Sequence, residues 1–207
     1  MLVALIPACS AVGLSERAEL LVRLLLPAAA LAWYWRVLPP IQVLRPVSSV
    51  LLGVGVCAIW IAPQWLFPGW RGHWIFQNAL LGRLGISASH YSLEAPLDVV
   101  LRSLRACTVV ALAEELFWRG WLMRWLIRDD FQALPVGAWQ ARAFLITAAL
   151  FAVEHGPYWE VGLAAGLLYN WWAVRTRSLG DLVLAHGVTN AALAAFVIVT
   201  RRWEYWM

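Results

Sequence analysis

Apolar runs of membrane-crossing or nearly membrane-crossing length follow one another through this chain, at residues 18–38, 47–66, 98–127, 140–155, 159–175 and 179–200. Crossing a bilayer takes about 20 apolar residues in a helix, because lipid offers backbone N–H and C=O groups no partners outside the segment itself. This succession predicts an all-α fold: a polytopic membrane helix bundle of six to seven transmembrane helices, with any active site in the bundle core. The seventh would be the stretch from Met1 to Leu14, which is short for a span and lacks the leading basic region of a cleaved signal peptide. Apolar residues make up 62% of the chain and charged ones only 14%, which sets it apart from soluble domains. Leu38-Pro39-Pro40 and Phe67-Pro68-Gly69 close the first two runs, since proline cannot continue a helical ladder. Residues 67–97 form the long polar connection, in which His73 to Leu81 is expected as an amphipathic surface helix. With no repeat or linker, residues 1–207 read as a single integral membrane domain.

All sixteen cationic residues are arginine, so each keeps its charge at any accessible pH. A net charge of +4 spread over the connections fits contact with anionic lipid, and the absence of a dense basic stretch argues against nucleic acid. Arg124, Arg128, Arg142, Arg175 and Arg177 fall in connections sharing one side, which the positive-inside rule makes cytoplasmic; Arg201 and Arg202 then fall on the opposite side. In a prokaryote the membrane would be the plasma (inner) membrane. Trp33, Trp35, Trp65, Trp70, Trp159 and Trp203 flank apolar runs, where interfacial belts form. Cys9, Cys57 and Cys107 show no paired spacing and read as small packing residues.

Against this background, five ionisable side chains lie inside apolar runs: Glu114, Glu115, Arg119, His155 and His186. A charge at the centre of a membrane helix costs roughly 2.5–3.5 kcal/mol on insertion scales, so such residues are functional candidates. Glu115 and Arg119, four apart with the acid first, suit an intrahelical ion pair. Glu114 is then left without that partner, available to a water or a substrate as a general base. His155 precedes Gly156-Pro157, which must end its helix, and the run before it is barely long enough to cross. The loop that follows would line an internal cavity, with Phe151 one turn back as its wall. Glu154 points elsewhere and reads as a polar-rim residue. His186 and Asn190 share a helix face; they suit either interhelical hydrogen bonding or two donors to a developing oxyanion. His73 and His90, in the polar connection, receive no role.

The three elements, Glu114-Glu115-Leu-Phe-Trp-Arg119, Phe151-Ala-Val-Glu-His155 and His186-Gly-Val-Thr-Asn190, stand in this order on separate apolar runs. The arrangement resembles the CPBP family of intramembrane proteases, whose best-known members are the type II CAAX prenyl endopeptidases. The resemblance covers residues 98–200, the expected catalytic core. It implies that Glu114 and His155 activate the attacking water, that His186 and Asn190 stabilise the tetrahedral oxyanion, and that Glu115 and Arg119 hold the active helix in place, with Phe151 in support. The compact size and the active helix EELFWRGWLMRWLI resemble the prokaryotic branch associated with exosortase-type protein sorting.

The expectation is therefore a glutamate-dependent intramembrane endopeptidase, free of cofactors, acting on membrane-anchored or lipidated protein substrates. A zinc-dependent version would place Zn2+ on Glu114, His155 and His186; Asn190, a better hydrogen-bond donor than ligand, weighs against it. A non-enzymatic membrane scaffold or a proton-coupled transporter is the alternative of another class, because intramembrane Glu and His chains also relay protons. The lack of internal duplication weighs against transport.

Overall fold

A computed structural model describes residues 14–78 and 96–206. Residues 1–13 with Cys9, and 79–95 with His90, lie outside the described residues. The elements among the described residues are all helical and form a bundle. Helix α1 (Glu16–Trp33) begins at Ser15, whose hydroxyl accepts from the Ala18 N–H at 3.3 Å. It stops short of the expected residue 38, because Leu38, ahead of Pro39 and Pro40, is already extended at φ −71 and ψ 148.

Helices α2 (Pro46–Leu66) and α6 (Leu179–Thr200) are both long and apolar enough to cross a membrane, by length and composition. They lie side by side in the same direction. At one end Asp181, in the first turn of α6, accepts from the Leu44 and Arg45 N–H groups at 3.1 and 2.8 Å and from Ser49 Oγ at 3.2 Å. One carboxylate thus serves the starts of two helices, where an anion is favoured. At Gly53 the backbones come so close that a Cβ would stand 2.4 Å from the Ala185 carbonyl oxygen, the small-residue contact by which membrane helices pack.

Against α6 also packs α3, over residues 96–125, and it is not a uniform helix. Two π-helical stretches, Ala106–Val110 and Leu116–Leu122, flank the α-helical Ala111–Glu115. Such widenings recur at functional sites. Gly187 brings α6 against the first of them: a Cβ there would lie 2.7 Å from the Cys107 carbonyl oxygen. Helix α4 (Ala141–Glu154) has 14 residues and is about 21 Å long, short of a bilayer's hydrocarbon thickness. A single turn, Gly156–Tyr158, reverses the chain into α5 (Trp159–Thr176), which packs back along α4.

Two expectations need correction. The described part of the proposed amphipathic helix, residues 73–78, forms turns. Arg124, expected in a connection, lies in the last turn of α3 and is buried: its guanidinium holds the Gly120 and Leu134 carbonyls and lies over the Phe131 ring. Of the tryptophans expected in a belt, Trp33, Trp35, Trp65 and Trp70 are exposed and Trp159 and Trp203 half-buried, whereas Trp60, Trp118 and Trp172 belong to the core.

Candidate active site

The expected ion pair forms at the centre of the bundle. Arg119 Nη1 donates to Glu115 Oε1 at 2.9 Å and Oε2 at 3.2 Å, with both side chains fully buried. The remaining guanidinium hydrogens reach α5, Nε donating to Asn170 Oδ1 at 2.8 Å and Nη2 to the Gly166 carbonyl at 3.3 Å. Asn170 passes the connection on by donating to the Phe144 carbonyl of α4 at 2.8 Å. The guanidinium also lies over the Phe151 ring, 4.7 Å from its centroid. One arginine therefore ties α3, α4 and α5 together.

His186 joins this group from α6. Its Nδ1 is 2.8 Å from Glu115 Oε1, and its ring stacks on Tyr169 at 5.2 Å between centroids. The opposite nitrogen, Nε2, stands 3.9 Å from Glu114 Oε2. The imidazole is thus set between two adjacent carboxylates, bonded to one and turned toward the other.

Glu114, His155, His186 and Asn190 all line one cavity of about 460 Å³, together with Phe151 and Trp60. Glu114 Oε2 is buried there with no hydrogen-bond partner among the described residues. The Nδ1 of His155 is 2.6 Å from the Phe151 carbonyl oxygen. A carbonyl only accepts, so Nδ1 carries the proton and Nε2 of the neutral ring is free to act as a base. The ring meets Phe151 at 4.5 Å and Trp60 edge-on at 5.1 Å between centroids. Behind it, Trp60 stacks on Tyr158 at 5.7 Å, and Arg71 lies 3.8 Å over the other aromatic contact of that turn, the Tyr158 ring centroid. Arg71 also donates to the Pro157 carbonyl at 2.7 Å and pairs with Glu160 at 2.6 Å. The turn that ends α4 is therefore fastened from the far side.

The structure brings the four expected catalytic residues to one cavity, with Glu115, Arg119 and Phe151 packed beside them. It changes the picture of the His186–Asn190 face. Each already has an interhelical partner: Glu115 for His186, and for Asn190 the Ala106 carbonyl, to which Nδ2 donates at 2.8 Å. Glu154, expected on a polar rim, also lines the cavity. Sequence reasoning missed Trp60, Arg71, Tyr169 and Asn170. Asn170 alone carried a signal, a carboxamide inside an apolar run. Among the described residues no group of three or more His, Cys, Asp or Glu side chains is gathered as a metal-ion set.

In comparisons with known proteins, residues 96–192 match the family described as type II CAAX prenyl endopeptidase Rce1-like, a membrane-embedded family. The match supports the kinship suggested by the three motifs, and it spans Glu114, His155, His186 and Asn190. No curated protein and no solved structure matches the chain.

Proposed function

Starting from residues 96–192, which belong to the Rce1-like type II CAAX prenyl endopeptidase family, we propose that the chain is a multi-pass intramembrane endopeptidase whose attacking water is activated by Glu114. The observation that carries this reading is the Glu114 carboxylate: half-buried, lining the cavity, with Oε2 itself buried, unpartnered among the described residues and 3.9 Å from His186 Nε2. A carboxylate kept in that state has an accepting atom left for a water. Glu114 would take a proton from that water as its oxygen attacks the peptide carbonyl. His155, with Nε2 unprotonated, would assist and carry the proton to the leaving amine.

The oxyanion would form against α6. Asn190 has a second amide hydrogen beyond the one given to Ala106, and His186, whose Nδ1 donates to the Glu115 carboxylate, would donate from Nε2 into the same cavity as the imidazolium. Glu115 and Arg119 would act through position, fixing α3 and the His186 ring. All six helices would lie in the bilayer, the plasma membrane in a prokaryote, and the short α4 would end at His155 within it. The substrate would be a membrane-anchored or lipidated protein, reached where reactive groups and lipid lie close together.

The test is Glu114→Gln in purified protein, assayed on a panel of membrane-anchored peptides. A general base contributes about 10²- to 10⁴-fold, and a loss of that size is expected. Cleavage at the wild-type rate would overturn the mechanism. A wild-type protein that binds but never cleaves any peptide would instead favour a scaffold that keeps the bundle without the chemistry.

A further inference from the structure

Among the residues lining the cavity, Glu114 and Trp60 each keep a buried polar atom, Oε2 and Nε1, with no hydrogen-bond partner among the described residues. The first is the proposed base. The second lies on α2, outside the matched stretch, on a side chain only 6% exposed. Buried indole N–H groups ordinarily find an acceptor, so one left over beside a reactive centre points to an acceptor that arrives with the ligand. An indole is a donor only, and what a peptide strand presents to it is a main-chain carbonyl oxygen. The ring is also held firmly. It stacks on Tyr158 at an interplanar angle of 6°, and Tyr158 is fixed by Arg71 and by its hydroxyl donating to the Glu204 carbonyl at 2.5 Å. Its edge-on contact with the His155 ring, 5.1 Å between centroids, sets this side chain beside the histidine proposed to carry the proton.

We propose that the Trp60 indole N–H is a substrate-binding donor that takes a main-chain carbonyl oxygen flanking the scissile bond and holds the strand against His155. The proposal rests on the endopeptidase reading. It assigns the chain a binding residue for extended peptide backbone.

The experiment uses full-length protein and a membrane-anchored peptide series in which each carbonyl around the scissile bond is replaced in turn by a methylene. Binding is measured in the inactive Glu114→Gln protein, with and without Trp60→Phe, which keeps an aromatic ring and removes the N–H. Trp60→Phe is expected to weaken binding of the parent peptide about tenfold, the size of one good hydrogen bond. It should also abolish the penalty for replacing one particular carbonyl while leaving the others. Where Trp60→Phe fails to fold, benzothienylalanine in place of Trp60 keeps the bicyclic shape without the donor. Binding within about twofold of the parent, or an equal loss for every carbonyl replacement, would overturn the proposal and leave Trp60 a packing residue. Position-specific loss in a protein that never cleaves would support the contact while overturning the protease reading. A protein that binds none of the peptides would overturn both.

Discussion

Adjacent glutamates on α3 should fail in opposite ways, and Glu115→Ala is the informative substitution. Glu115 is fully buried, bonded through Oε1 and Oε2 to Arg119 at 2.9 and 3.2 Å and through Oε1 to His186 at 2.8 Å. Removing it leaves a buried guanidinium without its counter-charge and an imidazole without its Nδ1 partner. Breaking one side of a buried ion pair costs about 3–5 kcal/mol. Arg119 would keep Asn170 and Gly166 as acceptors, which puts the expected loss near the lower end, about 3 kcal/mol. For a chain of this length each kcal/mol lowers Tm by about 2–4 °C, so Glu115→Ala should melt about 6–12 °C below wild type. Glu114→Gln removes no hydrogen bond made by Oε2 and should melt within about 2 °C of wild type while losing cleavage. Tryptophan fluorescence melts in one detergent, run beside the cleavage assay, compare the two. A Glu115→Ala protein as stable as wild type, or a Glu114→Gln protein the less stable of the pair, would refute the division of labour between these carboxylates.

Two further outcomes follow from the geometry. Gly187→Val puts side-chain carbon where a Cβ alone would be 2.7 Å from the Cys107 carbonyl; it should cost about 1–3 kcal/mol in overpacking and impair cleavage by pushing His186 and Asn190 away from α3, and wild-type melting and cleavage would show that α6 does not need this approach. Exhaustive chelation is expected to leave cleavage intact, with less than stoichiometric metal in the purified protein; loss of activity restored by Zn2+ would favour ligation by Glu114, His155 and His186 instead.

Much of the bundle was legible because lipid punishes unsatisfied backbone so heavily that apolar runs and helices nearly coincide. Where they diverge, a local rule explains it, as at Leu38, which two following prolines hold extended. The Glu115–Arg119 pair was legible for a similar reason, since spacing along one helix fixes which side chains meet. Spacing says nothing about which neighbour faces a helix, and this is why the partners of His186 and Asn190 were not foreseen. Glu115 and the Ala106 carbonyl lie on α3, about 70 and 84 residues away along the chain. The π-helical stretches had no signature either, as each depends on the whole packing of α3 against α6. Arg71 and Trp60 were hidden differently: a residue in a connection and an aromatic in an apolar run both have ordinary explanations until the turn at His155 is seen to rest on them.

The supply of reactive groups by helices far apart in sequence also sets an order of assembly. In the proposed bilayer placement α3 would enter the membrane with Glu115 already paired to Arg119, four residues later on the same helix. Glu114 has no such companion. His186 and Asn190 arrive only with the last helix, and Asp181 then closes that helix onto the start of α2. On the proposed roles, a chain that ends before residue 190 would have its base in place and nothing to receive the oxyanion, so the site would become active only once the last helix has packed.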